Sequence, residues 1–331
     1  MKVLLTGAFG NVGRCTLDEL LAKGHRVRCF DLDSPSSRRA ARDCPSGVEV
    51  MWGDLRRPDD VARAVRDQEA VVHLAFIIPK LSATGLESEK CPDVARRVNV
   101  GGTHNLIAAL EALTPAPRLI FTSSLHVFGL TQDQPPPRTC TDPVCPTEHY
   151  SQHKITCEEM IRASRLPWAI LRLAATPPLR LIMDPGMFDV PLDNRIEFIH
   201  RRDVALAIAN AVSSDEVWGH TLLIGGGPRC QFHYREFAKQ VLEASGVGML
   251  PAAAFSTTPF ATDWLDTTLS QKLLHYQRRT LDDYTAEVIA MLGFRRQLIR
   301  LCRPAVRAWL LRQSPYLPRS RRARAVARQG I

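Results

Sequence analysis

No apolar run in this sequence is long enough to cross a bilayer. The longest, around 71–79, falls well short of the roughly 20 residues a spanning helix needs. The opening MKVLLTGAFG carries one lysine and then a short β-rich run that meets glycines. It lacks the length and small-residue cleavage site of a secretory leader, so a cytoplasmic protein is expected. Metal-type spacing is missing as well. The nine cysteines are scattered, with no CxxC and no paired Cys/His pattern. Even Cys140 and Cys145, which bracket TCTDPVC, have no further His or Cys at zinc-like distance, so free thiols and no metal are expected. There is no internal repeat, and the prolines at 135–137 read as a stiff loop. Acidic residues are absent from 295–331, where eleven arginines stand; the formal charge of +9 therefore belongs to a tail on a slightly acidic body. That excludes a nucleic-acid binder engaging its whole surface.

What is present is enough for a full core. The chain has 331 residues, 45% hydrophobic and 23% charged, an ordinary globular balance. Short β-branched or apolar runs at 2–6, 26–30, 48–51, 70–74, 118–122 and 168–173 alternate with helical patterns at 12–23, 59–66, 92–113 and 150–164. Near-continuously apolar strands alternating with helices predict an α/β fold, a doubly wound parallel sheet covered on both faces. Such sheets bind ligands at the carboxyl ends of their strands. Beyond Leu173 the pattern loosens around Pro177, Pro178, Pro185 and Pro191. A strand at 196–200, a helix at 203–212 and a strand at 221–224 follow, then helices at 234–244, 263–274 and 281–292. The expected layout is a main domain over 1–172 completed by about 196–228, a smaller C-terminal lobe from 173–195 and 229–294, and a basic tail at 295–331.

TGAFGNVG, residues 6–13, follows the first strand and opens the first helix. Gly7 permits a tight turn, Gly10 lets backbone approach a pyrophosphate, and Gly13 allows close helix–sheet packing; the helix N-terminus offers free N–H groups to phosphates. The bland alternative is a glycine-rich structural turn. Asp31 ends the second strand, at the place of the acid that binds a ribose 2′-hydroxyl and repels a 2′-phosphate. That favours NAD. Asp33 is a rival for the role, and Arg38 and Arg39 just beyond suit a 2′-phosphate, which keeps NADP open. Tyr150 and Lys154 in EHYSQHK lie four apart on one helix face, a spacing that any helix makes adjacent. Individually, Asp54 reads as a cap, His73 as a satisfied strand histidine and Asn99 as a helix hydrogen-bonder.

As a set, in this order, TGAFGNVG, Asp31, Asp54-Leu55, His73-Leu74-Ala75, Asn99, SSLHVFG, Tyr150-xxx-Lys154, Arg172 after WAIL, and EFIHRRDVALAI resemble the extended short-chain dehydrogenases/reductases of the NAD-dependent epimerase/dehydratase family. The resemblance covers about 1–225 and continues weakly through DWLDTT. It implies a Rossmann sheet with a C-terminal substrate lobe. It also implies that Gly7, Gly10, Asn11, Val12 and Gly13 hold the pyrophosphate, Asp31 the adenosine ribose, and Asp54 and Leu55 the adenine. Leu74 and Ala75 would line the cofactor path, and Asn99 would support it. Ser124, Tyr150 and Lys154 would be the catalytic set, with Tyr150 and Lys154 also touching cofactor. An unperturbed phenol, pKa about 10, is a poor base at neutral pH. A nearby ammonium from Lys154 and a cationic nicotinamide ring favour phenolate, and Ser124 would orient the reacting oxygen. The family implies a homodimer through helices at 92–113 and 150–164.

The sequence also departs from that family. Where sugar-nucleotide dehydratases carry an Asp-Glu pair, it has Leu125 and His126; where epimerases place an asparagine after the sixth strand, it has Ala175. The stretch 172–200 is short for a lobe that wraps a nucleotide diphosphate. An oxidoreductase acting on a smaller or more apolar carbonyl or alcohol is expected. A sugar-nucleotide epimerase working by transient oxidation is the alternative, and a non-catalytic cofactor-binding module acting through its basic tail is the second. His126 is a candidate substrate contact or a packing histidine; His200, at a strand-to-helix junction, is another candidate. His149 and His153 are expected on solvated faces. In the tail, Arg296, Arg300, Arg303 and Arg307 form one helical stripe with Phe294, Leu298, Leu301, Ala305 and Trp309 roughly opposite, and Pro304 restarts the helix. Either the tail covers its own protein with the arginines solvated, or 295–312 contacts a membrane surface; specific nucleic-acid binding is not expected, and 319–331 should fray.

Overall fold

The computed structural model describes residues 1–80, 85–179 and 184–317, so the expected fraying of 319–331 lies outside the described residues. The strands are β1 (Lys2–Thr6), β2 (Arg26–Asp31), β3 (Glu49–Trp52), β4 (Ala70–His73), β5 (Arg118–Ser124), β6 (Trp168–Leu173), β7 (Arg195–Glu197), β8 (Thr221–Ile224) and β9 (Gln231–His233). Seven of them form one sheet in the order β3-β2-β1-β4-β5-β6-β8, and every neighbouring pair is parallel. The order reverses between β1 and β4, which opens the crevice where such sheets take ligands.

The helices are α1 (Asn11–Ala22), α2 (Pro35–Ala41), α3 (Pro58–Val65), α4 (Pro92–Arg96), α5 (Gly102–Glu111), α6 (His149–Ala163), α7 (Arg201–Ser213), α8 (Tyr234–Ala244), α9 (Thr268–Leu274), α10 (Leu281–Leu292), α11 (Phe294–Leu301) and α12 (Arg303–Gln313). Strand alternation sends Val3 and Leu5 to one face and Leu4 to the other. Val3 and Leu5 share a core with Leu17 and Leu20 of α1 and Val204 and Ile208 of α7. Leu4 and Phe121 share one with Val61, Leu106, Leu110, Cys157 and Ile161 of α3, α5 and α6. Helices on both faces explain why the strands are apolar almost throughout.

Four expectations change. The helix over 92–113 is interrupted by a π-helical turn, Arg97–Gly101, of the kind that often marks functional positions. A helix not anticipated, α2, is started by Ser34, whose Oγ accepts from Ser37 N at 3.1 Å, with Pro35 in its first turn. The strand expected at 196–200 stops at Glu197 and does not return to the main sheet: β7 pairs antiparallel with β9. Of the completing segment, only the strand expected at 221–224 joins the sheet, as β8 beside β6. The helix expected over 263–274 covers only Thr268–Leu274, because buried Asp263 is drawn away to accept from Thr131 Oγ1 at 2.7 Å and Arg195 Nε at 2.6 Å.

The C-terminal lobe has its own core, in which Phe188, Tyr234, Phe255, Leu310 and Leu311 meet. Of the tail stripe, Arg300 is exposed as expected, but the other three arginines are not simply solvated. Arg296, Arg303 and Arg307 turn into the body and donate to backbone carbonyls, whereas Phe294, Leu298, Leu301 and Trp309 face solvent.

Candidate active site

The glycine turn is fixed by contact. Gly7 has φ +67°, and a Cβ there would lie 2.8 Å from Ala75 N; a Cβ on Gly13 would overlap the Gly7 carbonyl oxygen. Gly10 N donates to Gly7 O at 3.1 Å, and Gly10 caps α1 without a side-chain hydrogen bond. The first-turn amides of α1 are thus left for a ligand oxygen. Asn11 ties this turn to the chain after β6, its Nδ2 donating to Thr176 O at 3.3 Å.

Two adjoining cavities share Gly7, Gly10, Leu74 and Phe76. The first, about 250 Å³, takes in Asp31, Asp54, Leu55 and Ala75. Asp31 accepts from Phe9 N at 3.0 Å and Leu32 N at 2.8 Å; burial pushes its carboxyl up and these amides oppose it. The rival Asp33 is exposed and occupied by Arg38, whose Nη2 donates to it at 2.7 Å, while that guanidinium lies 5.7 Å from the Trp52 ring centre.

The second cavity, about 350 Å³, brings Asn11, Val12 and Gly13 together with Ser124, His126, Tyr150 and Lys154. Ser124 ends β5, and Tyr150 and Lys154 occupy the first turns of α6. Glu89 steadies that helix start by accepting from His149 N at 3.1 Å and Tyr150 N at 3.0 Å. The Tyr150 phenol and Ser124 line the same wall of this cavity. Its ring stands edge-on to Phe76 at 5.8 Å and to His126 at 5.9 Å. Lys154 Nζ donates to Thr122 O at 2.6 Å and lies 3.5 Å from the Phe76 ring centre and 5.7 Å from that of Tyr150.

Burial sets the proton affinities in this wall. It holds the Tyr150 phenol above its ordinary value, with Ser124 alone opposing it. The same aromatic wall pushes the Lys154 ammonium down to about 7. The lysine therefore does not by itself acidify the phenol, because both groups are desolvated together. A sign follows for stability. An unfolded lysine titrates near 10.4; between about 7 and that value the unfolded chain holds a proton that the folded chain has released, so stability rises with pH. Measured by thermal unfolding without cofactor, wild type should gain on Lys154→Met between about pH 6 and pH 9. A flat difference would show that Lys154 stays charged in the wall.

Two candidates do not line this cleft. Asn99 is fully buried, and its side chain clamps the backbone of Ile77, accepting from the amide at 2.7 Å and donating to the carbonyl at 2.9 Å. It holds the segment after β4 rather than a ligand, and the π-helical turn is what aims it there. His200 is also fully buried, between Phe198 and Tyr284 with Glu287 at 3.6 Å. It caps α7 and is absent from the cavity around Tyr150, which corrects its reading as a substrate contact. His153 is likewise buried, beside Asn99. His126 does line the cleft, its Nδ1 paired with Glu148 and its ring edge-on to both Tyr150 and Phe260. Phe76 and Glu148 escaped the sequence reading. Glu148 had a signal, since with Ser151 it forms a reciprocal capping box at the start of α6.

The family model described as NAD dependent epimerase/dehydratase family matches residues 3–176. The mouse (Mus musculus) short-chain dehydrogenase/reductase family 42E member 1 is 36% identical over 132 residues, 38% of this chain and 30% of the mouse protein. The 3 beta-hydroxysteroid dehydrogenase/Delta 5-->4-isomerase of Mycobacterium tuberculosis is 36% identical over 126 residues, 38% of this chain and 32% of that protein. UDP-glucose 4-epimerase 4 of Oryza sativa subsp. japonica is 32% identical over 195 residues, 54% and 49% of the two chains. The chain thus spans half or less of the length of these relatives. Among solved structures, UDP-glucose-4-epimerase from Stenotrophomonas maltophila, with bound NAD and formylated UDP-arabinopyranose, superposes with a TM-score of 0.72 at 22% identity, covering 91% of this chain and 99% of that one. A short-chain dehydrogenase/reductase superfamily protein from Agrobacterium tumefaciens with bound NAD gives 0.72 at 20% identity, covering 92% and 100%. Those likenesses establish the fold.

Proposed function

The chain belongs to the NAD-dependent epimerase/dehydratase family, and from that premise we propose that it is an NAD-dependent oxidoreductase acting on an alcohol or carbonyl carbon. The observation that carries the reading is the meeting of Ser124, Tyr150 and Lys154 with the glycine turn in one cavity. The cleft suits a dinucleotide: the turn has no room for side chains at Gly7 and Gly13, and the α1 amides have no side-chain cap. Gly10, Asn11, Val12 and Gly13 would hold the pyrophosphate, Asp31 the adenosine ribose, and Asp54 and Leu55 the adenine end. Asp31 meets a 2′-phosphate with like charge, and Arg38 is engaged elsewhere, so NAD is favoured over NADP. Bound there, the nicotinamide supplies the hydride exchange. Tyr150 Oη moves the proton on the substrate oxygen, Ser124 Oγ orients that oxygen, and Lys154 supports the cofactor side of the wall.

The substrate end is apolar. Ile78, Pro79, Ala175 and Thr176 wall the cleft, and the next residues along both segments, Lys80 and Pro177, wall a further cavity of about 210 Å³. Met187, Tyr234, Phe237, Leu242 and Phe255 line that separate cavity, with Lys80 and Asp184 as its charged residues. An aromatic and aliphatic lining favours a hydrocarbon-rich alcohol or ketone over a nucleotide diphosphate. The second reading, net epimerisation of a sugar nucleotide through transient oxidation, uses the same three residues and is supported by the likeness to UDP-glucose 4-epimerases.

One panel separates them. The purified chain is given NAD with apolar secondary alcohols, NADH with the matching ketones, and NAD with UDP-sugars. Net change in nicotinamide absorbance with the apolar pairs is the expected result. Epimerised UDP-sugar without net reduction would establish the second reading. Cofactor binding with no turnover of any class would leave the non-catalytic module.

A further inference from the structure

The last two helices are amphipathic, but they sit on the body inside out. Arg296 Nε donates to Ala244 O at 2.7 Å, Arg303 Nε to Val247 O at 2.8 Å, and Arg307 Nη1 to Met249 O at 2.6 Å and Gly248 O at 3.0 Å. These carbonyls belong to the end of α8 and the turn after it, where a helix leaves its last acceptors unpaired. The arginines therefore serve as caps that lock α11 and α12 down, helped by Leu310 and Leu311 in the lobe core. The opposite ridge is consequently fixed outward. On α11, Phe294 is 74% exposed, Leu298 53% and Leu301 80%; on α12, Trp309 is 49% exposed, and Ile289 and Met291 are exposed at the end of α10. A ridge of large apolar side chains this exposed is not the ordinary scatter of a soluble surface.

Charge identifies what covers it. Arg295, Arg300 and Arg312 are exposed beside the ridge and have no ion-pair partner among the described residues. The last acidic residue in the sequence is Glu287, and Arg319, Arg321, Arg322, Arg324 and Arg328 follow in the chain. A second copy docking through this face would set arginines against arginines in a self-complementary contact. A nucleic acid would take the charge and leave Phe294, Leu298, Leu301 and Trp309 uncovered. We propose that this face docks on an anionic membrane surface, with the apolar ridge at the headgroup–acyl boundary and the surrounding arginines among the headgroups. The contact is peripheral: among the described residues no helix is long and apolar enough to cross a membrane.

The test is co-sedimentation of the full chain with vesicles of phosphatidylcholine alone and of phosphatidylcholine with phosphatidylserine. Binding should be at least about tenfold stronger to the anionic vesicles and should weaken with salt. The double variant Leu298→Glu/Leu301→Glu changes only exposed side chains; it should lose the anionic-vesicle binding while keeping wild-type circular dichroism and cofactor affinity. Equal binding to both vesicle types, or unchanged binding by the double variant, overturns the proposal. So does a double variant whose only defect is loss of self-association, which would make the ridge an interface between copies.

Discussion

Tyr150→Phe should lower turnover by about 10²–10⁴-fold, the usual contribution of a positioned acid–base group, with cofactor affinity little changed. The substitution removes one oxygen. The ring keeps its edge-on contacts with Phe76 and His126, and the backbone amides at the start of α6 stay held by Glu89, so the cavity should not collapse. The loss should appear in kcat, because the phenol exchanges its proton only as the substrate oxygen gains or loses charge. Since burial holds the phenol above its ordinary value, wild-type oxidation should also rise steadily toward alkaline pH instead of levelling near neutrality. Steady-state kinetics on the substrate that the panel identifies, together with titration of NAD binding, measure both halves. A variant that keeps turnover within about tenfold would remove Tyr150 from the chemistry.

Glu158→Leu should be the most damaging substitution for stability, at about 3–5 kcal/mol. Glu158 and Arg172 are 1% and 3% exposed. Arg172 donates to the carboxylate from Nε at 3.0 Å and Nη2 at 2.8 Å, and its guanidinium lies 5.0 Å from the Phe128 ring centre. Removing the carboxylate strands a cation that cannot shed its proton. Urea unfolding should show a lower midpoint with an unchanged slope. Glu158→Leu with Arg172→Met should recover much of the loss, because the uncompensated charge goes too. Burial pushes the Glu158 carboxyl up, but Arg172 together with lesser partners such as Arg162 outweighs it and holds the group below the ordinary range. Its stabilising share is therefore present above the unfolded value near 4.3 and disappears as pH falls through the folded one. A single variant within about 1 kcal/mol of wild type would mean that the pair is replaceable by packing alone.

Residues 1–173 were the legible part. The strand–helix alternation, the glycine turn and the Tyr150–Lys154 spacing are local patterns, written in short windows by backbone geometry and helix periodicity. Positions whose meaning depends on distant partners were not legible. Asn99 was expected to support the cofactor path, but that it does its bonding as a clamp on Ile77, 22 residues away, was not visible in the sequence. His200 sat beside the right junction, yet its side chain turned inward against Tyr284. Phe76, an ordinary apolar residue in HLAFIIP, gained its place only when α6 brought Lys154 over its ring.

The sequence by itself determined the parallel sheet and the glycine turn at its edge, because periodicity and turn chemistry act over a few residues at a time; that Ser124, Tyr150 and Lys154 belong together was implied by the family resemblance. Tertiary structure alone decided the proton affinities of Tyr150 and Lys154 and the outward direction of the Phe294–Trp309 ridge. Desolvation depends on every wall that closes around a group, and which face of an amphipathic helix turns inward depends on what the body offers it. Here the body offered carbonyls at the end of α8 and in the turn after it, and the arginines took them.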